Sequence, residues 1–283
     1  MTCVSPEPTL NGRFGFAIAG LGDVTDDGAA DIAISAIGES ATSDTAGAGR
    51  VHVMDGESGD VVYTLDSPTP LAQGAFGNCL AALSDVDGDG LNDLAVGAGL
   101  QNEGSVYVFS GADGSLILTL QSPNAQPGGM FGAAVASVAD MDADGAPELI
   151  AGACGEACPA VPSGTQAADI PRAGRAYLFS GASGALLRTY QSTTPTSAGA
   201  FGYCVAGAND LDDDAWGDVV IGAPAERGPG AIGKAGTAFA FLGNLPQTVP
   251  PILIPPVVDQ VTSHNVARYG ISDYGPGVCY AAG

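Results

Sequence analysis

Four stretches of this chain place oxygen-bearing side chains at the first, third, fifth and ninth positions of a short loop. Asp85, Asp87, Asp89 and Asp93 set the pattern, and three further sets repeat it: Asp23, Thr25, Asp27 and Asp31; Asp140, Asp142, Asp144 and Glu148; Asp210, Asp212, Asp214 and Asp218. Oxygen donors on alternate residues converge on one centre, and their number suits Ca²⁺ better than Mg²⁺. The backbone carbonyls of Ala29, Leu91, Ala146 and Trp216, at the seventh position, are the expected further ligands. Gly90 at the sixth position allows the sharp turn. Thr25 stands where the other loops have a carboxylate, and Ala215 where they have that glycine. The expectation is up to four Ca²⁺, one per loop. The alternative of solvated acidic turns is disfavoured, because clustered carboxylates repel one another without a counter-ion.

An EF-hand closes its cage with a glutamate at position twelve and is flanked by helices. Here position twelve is Ile34, Val96, Ala151 and Ile221, so each loop runs into an apolar segment of strand character. The cation is therefore expected in a β-hairpin.

The elements that must position these loops form an internal repeat. Phe-Gly begins at Phe14, Phe76, Phe131 and Phe201, each nine residues before the first loop aspartate. Ser5, Ser67, Ser122 and Ser192 lie nine residues before those phenylalanines, and Thr2, Thr64, Thr119 and Thr189 twelve before. Downstream, the segments opened by Gly49, Gly104, Gly174 and Gly236 alternate as half-buried strands do. Each repeat thus holds four short strands, A to D. A starts at Phe-Gly, the acidic loop joins A to B, C starts at the later glycine, and D is a segment such as residues 116–120. Four strands per repeat of this length describe a propeller blade.

Phe-Gly, the aspartate-rich loop and Val-Ile-Gly-Ala-Pro at 220–224 together resemble the FG-GAP repeats of the integrin α-subunit β-propeller and its bacterial extracellular relatives. The likeness runs from residue 2 to about residue 243, although only the fourth repeat has the full Gly-Ala-Pro. It implies an all-β propeller of four-stranded antiparallel blades with Ca²⁺ in the A–B hairpins of one face and partners engaged elsewhere. Four repeats rather than the seven of integrins leave a closed ring, an open arc or a ring shared by two chains as alternatives.

Composition agrees with an all-β chain: there are 43 glycines in 283 residues and few charged ones. The formal charge of −23 makes nucleic acid and anionic membranes poor partners. Four bound Ca²⁺ add eight positive charges and bring it to −15. No run of about 18 apolar residues suggests membrane insertion, and the start of the chain lacks the basic and apolar regions of a signal peptide. An extracellular or cell-surface mature form is expected. Cys154 and Cys158 in one loop, and Cys3 and Cys279 near the two ends, are disulfide candidates; Cys79 and Cys204 are left unassigned.

The distance from loop position nine to the C-strand glycine varies, at 18, 11, 26 and 18 residues, whereas Gly49, Gly104 and Gly174 each precede the next serine by 18. Length variation is thus confined to the B–C loops, a face on which a glycan or a cell-surface protein could be engaged. Residues 2–5 match the end of a D strand and are expected to complete the fourth blade. That displaces the proline-rich segment 245–283 to dock on the ring or on a neighbouring subunit, a route to self-association into a surface or filamentous polymer. A monomeric glycan- or protein-binding propeller is the alternative, and a propeller hydrolase or lyase a more remote one. Catalytic sets are wanting: His52 occupies a position held by Tyr107, Tyr177 and Phe239 in the other repeats, and the Gly-x-Gly-x-x-Gly string at 228–233 leads into a strand rather than a helix N-terminus. The chain is read as non-enzymatic.

Overall fold

A computed structural model describes residues 2–159, 169–208, 210–214, 216–227 and 234–243. Apart from the short 3₁₀ turn Ser43–Thr45, the described elements are strands. The inner strands are β1 (Phe14–Gly22), β5 (Cys79–Leu83), β9 (Phe131–Val138) and β13 (Cys204–Ala208). Next come β2 (Asp31–Ala36), β6 (Asp93–Ala98), β10 (Glu148–Ala153) and β14 (Asp218–Ala223), then β3 (Arg50–Met54), β7 (Ser105–Phe109), β11 (Arg175–Ser180) and β15 (Thr237–Phe241). The outer strands are β4 (Val61–Asp66), β8 (Leu116–Leu120) and β12 (Leu186–Tyr190). Each repeat is an antiparallel meander in the expected A-B-C-D order, with three four-stranded sheets and a fourth of three described strands.

Sheets follow one another in chain order, β1 against β5, β5 against β9 and β9 against β13, and among the described residues they do not close into a ring. Residues 2–5, expected to supply the last outer strand, form no strand; Ser5 instead hydrogen-bonds to Glu39 of the first sheet, 2.5 Å. Segment 245–283, with Cys279, lies outside the described residues.

Phe-Gly was expected to open strand A, and it does so in β1 and β9. In β5 and β13 pairing begins three residues later, at Cys79 and Cys204. All four repeats share one local geometry at this point: Gly15, Gly77, Gly132 and Gly202 lie at φ 81° to 86°, and Arg13, Ala75, Met130 and Ala200 before the phenylalanines are also left-handed. Two left-handed residues around one phenylalanine interrupt the ladder, and Phe14 and Phe131 pair only across a register shift. These left-handed residues also turn the ring inward: Phe76, Phe131 and Phe201 are fully buried. Phe76 packs edge-on to Phe109, Phe131 to Phe179 and Phe201 to Phe241.

Candidate metal loops and the corners that hold the blades

Position nine of each acidic loop is also the first residue of a B strand, so the hydrogen-bonded ladder fixes that carboxylate. Asp31, Asp93, Glu148 and Asp218 are all buried. In loop 2, Asp93 Oδ2 accepts the Val86 amide at 2.8 Å, and Oδ1 accepts the Gly111 amide of the β7–β8 turn at 3.1 Å. Asp31 likewise joins Val24 to Gly56, and Asp218 joins Leu211 to Gly243. One carboxylate thus staples the A–B loop to the C–D turn. Glu148 is one methylene longer, and it keeps only the loop half of this staple, to Met141 at 2.7 Å. Its other oxygen is buried without a hydrogen-bond partner.

The first loop residue folds the turn. Asp85 accepts the amides of Gly88 at 2.6 Å and Gly90 at 2.8 Å, and these amides, Gly90 first, hold its carboxyl below the ordinary value. Asp23 and Asp140 accept the sixth-position amides Gly28 and Gly145 in the same way. That glycine lies at φ 91°, 92° and 94° in the first three loops. Position four is left-handed as well, through Asp26, Gly88, Ala143 and Asp213, a requirement that the 1-3-5-9 spacing did not disclose.

Carboxylate oxygens of positions one, three and nine converge within 4.8 Å in three loops: Asp85, Asp87 and Asp93; Asp140, Asp142 and Glu148; Asp210, Asp212 and Asp218. Loop 1 has Thr25 in place of the third carboxylate, and the Thr25 hydroxyl is buried without a partner. The expected position-five ligands border these groups, with Asp144 beside Asp142 and Asp214 beside Asp212. Asp27, Asp89, Asp144 and Asp214 each accept the amide of position seven, at Ala29, Leu91, Ala146 and Trp216. Asp89 and Asp144 also accept the hydroxyls of Ser110 and Ser180.

Among the described residues no Lys or Arg forms a salt bridge with the groups of loops 2 and 3. Burial pushes Asp93 up to about 6 against the lowering effect of the Val86 and Gly111 amides, and Asp87 and Asp89 add to the rise. Burial, then Asp142 and Asp140, push Glu148 up to about 7. Three hard oxygens held together, with orphaned buried oxygens on Thr25 and Glu148, fit a divalent cation.

A second repeated constellation escaped sequence reasoning. The serines in register each bond a residue 34 positions later: Ser5 with Glu39, Ser67 with Gln101, Ser122 with Glu156 and Ser192 with Glu226. All four partners are buried at the corner after strand B. The C-strand residue completes each corner. Tyr177 donates to Glu156 at 2.5 Å, Tyr107 to Gln101 at 3.2 Å, and His52 bridges Glu39 and Thr64 at 2.9 Å each. His52 is therefore a hydrogen-bonding member of its corner as well as a packing residue. Phe239 cannot play this part, and one Glu226 oxygen is left without a partner. The signal was the constant 34-residue interval between each serine and a Glu or Gln.

Cys154 and Cys158 are buried but not bonded to each other. The Cys158 thiol faces the Pro159 carbonyl at 3.6 Å, and burial raises its pKa. Cys79 Sγ lies 3.4 Å from the Val135 amide of the next sheet.

Blade-like sheets carrying one acidic hairpin each define a propeller-type repeat, and the comparisons with known proteins agree. A family model described as FG-GAP-like repeat matches residues 85–151. Integrin alpha-PS5 of Drosophila melanogaster is 32% identical over 155 residues, covering 52% of this chain and 15% of that protein. Integrin alpha-3 of Cricetulus griseus is 28% identical over 191 residues, 62% of this chain and 16% of its own length. Integrin alpha-IIb of Mus musculus is 33% identical over 165 residues, 52% and 15% respectively. The chain is an FG-GAP repeat protein related to the integrin α propeller. It spans about one-sixth of the length of these relatives. Among the described residues no helix is long and apolar enough to cross a membrane.

Proposed function

We propose that this chain is a calcium-stabilised, non-enzymatic, extracellular propeller module of adhesive type that binds protein partners. The observation that carries it is the triple convergence of carboxylates at positions one, three and nine, repeated in register at one end of successive sheets. Repetition in sheet after sheet supports a scaffolding role, since a catalytic centre needs one distinct constellation. Ca²⁺ is the cation favoured by the all-oxygen donor set, with the carbonyls of Ala29, Leu91, Ala146 and Trp216 as further ligands and one ion per loop. The B–C loops, on the edge away from the acidic hairpins, are the surface assigned to the partner. Filament formation through residues 245–283 gains no support, because that segment lies outside the described residues.

The test is the immobilised full chain probed with arrays of extracellular proteins and of glycans, in calcium and in chelator. The reading predicts protein retention in calcium and its loss in chelator. Retention that ignores the chelator, or retention of glycans alone, overturns it.

A further inference from the structure

The two ends of the arc carry the two halves of the contact that joins its sheets. At each internal junction the phenylalanine of one sheet enters the C-strand glycine of the sheet before it. The Phe76 amide donates to the Ala48 carbonyl at 2.7 Å, and the Phe201 amide to Ala173 at 2.8 Å. A Cβ on Gly49, Gly104 or Gly174 would lie within 2.1 Å of the entering phenylalanine's carbonyl oxygen. A second pair of glycines makes room beside them. A Cβ on Gly97 would meet the Gly132 carbonyl at 2.2 Å, and one on Gly152 the Gly202 carbonyl at 2.0 Å.

The fourth sheet retains this socket with no sheet in it among the described residues. Gly236 keeps the left-handed φ of 77° and the amide bond to Glu226 that its three counterparts make to Glu39, Gln101 and Glu156. A Cβ on Gly222 would meet only Cys204 of its own sheet. Ala235 and Ala238 are exposed, whereas their counterparts Ala48 and Ala173, and Val51, Val106 and Ala176, are buried. At the opposite end the first sheet offers the matching plug. Ile18 is 57% exposed, against 2% for Leu80 and 3% for Val135 at the same position. Phe14 is half-buried where Phe76, Phe131 and Phe201 are fully enclosed. The Ser5–Glu39 bond shows the first sheet already dressed at its corner as an interior sheet is.

We infer that the exposed face of β13–β15 is the docking site for β1 of a second copy of this chain, which enters it as Phe76 enters the first sheet. The occupant is a second copy because the plug that fits the socket is the chain's own Phe14-Gly15 strand, and the internal junctions are the template. Such a contact is heterologous. It uses the sheet faces rather than residues 245–283, and it stands apart from the adhesive reading above.

The experiment is sedimentation velocity of the full chain in calcium, with Ile18→Lys blocking the plug and Ala238→Arg blocking the socket. Both positions are exposed, so a retained far-ultraviolet spectrum and melting curve will show that the variants fold. The wild type should sediment at two or more times the 27.8 kDa chain mass, and each variant alone as a monomer. An equimolar mixture of the two variants should form a dimer and nothing larger, because one free plug and one free socket remain. A monomeric wild type, variants that associate as the wild type does, or a mixture that stays monomeric overturns the inference.

Discussion

Asp93→Ala isolates the staple between hairpin and turn. The substitution strips the hydrogen-bond acceptor from two amides, Val86 at 2.8 Å and Gly111 at 3.1 Å, around a side chain with no exposure. Each bond to a carboxylate contributes about 1.5–3 kcal/mol, and a stranded buried amide costs a similar amount. The gain is offset in part, because burial and the Asp87 and Asp89 charges disfavour the ionised carboxylate that makes these bonds. A net loss of roughly 2–4 kcal/mol follows in chelator, a large share of the 5–15 kcal/mol of a typical fold. In calcium the loss should be greater still, since the variant also surrenders a cation ligand. Urea unfolding of wild type and variant, each in calcium and in chelator, measures both quantities. A loss below about 0.5 kcal/mol in chelator would refute the staple, since even one bond of this kind exceeds it. Equal losses in the two conditions would refute the ligand role.

The remaining predictions use other parts of the geometry. In chelator the protein should lose stability as pH rises from about 4 through 7. The folded values of Asp93, about 6, and Glu148, about 7, lie above their ordinary 3.8 and 4.5, so stability is present below the ordinary values and lost above the folded ones; calcium should flatten this slope in melts across pH. Asp87→Ala should weaken calcium binding more than Asp27→Ala by calorimetry, because Asp87 belongs to a convergent group of three carboxylates and Asp27 to the loop in which Thr25 replaces one. Gly97→Ala should destabilise by about 1–3 kcal/mol or more in urea, since its Cβ meets a backbone carbonyl of the next sheet. Gly222→Ala should cost less, because its Cβ meets the movable Cys204 sulfur. Tyr177→Phe should cost about 1–3 kcal/mol by leaving Glu156 short of a buried donor.

Strand number, order and loop placement were legible because Phe-Gly, the acidic loop and the C-strand glycine recur in one register, and each marks a backbone event that few residues can supply. The 1-3-5-9 pattern was legible as a cation loop but not in its division of labour. Position five also accepts the amide two residues on, an Asx-turn bond that the spacing did not disclose. The staple from position nine to the C–D turn was invisible, because Asp93 and Gly111 are joined only by the fold. The Cys154–Cys158 pairing rested on spacing alone, and burial of Cys158 beside Pro159 shows how little spacing says about side-chain direction. Closure by residues 2–5 was inferred from a short match to a D strand. Ser5 did fall in register, but the register it obeys is that of the corner, through Glu39.

Calcium titration of the chelated full chain by calorimetry, paired with its melting temperature, tests the central claim most directly. Four binding events are predicted, weakest in the loop with Thr25, together with a marked rise in melting temperature as the sites fill. Absence of binding heat with an unchanged melting curve would contradict the account.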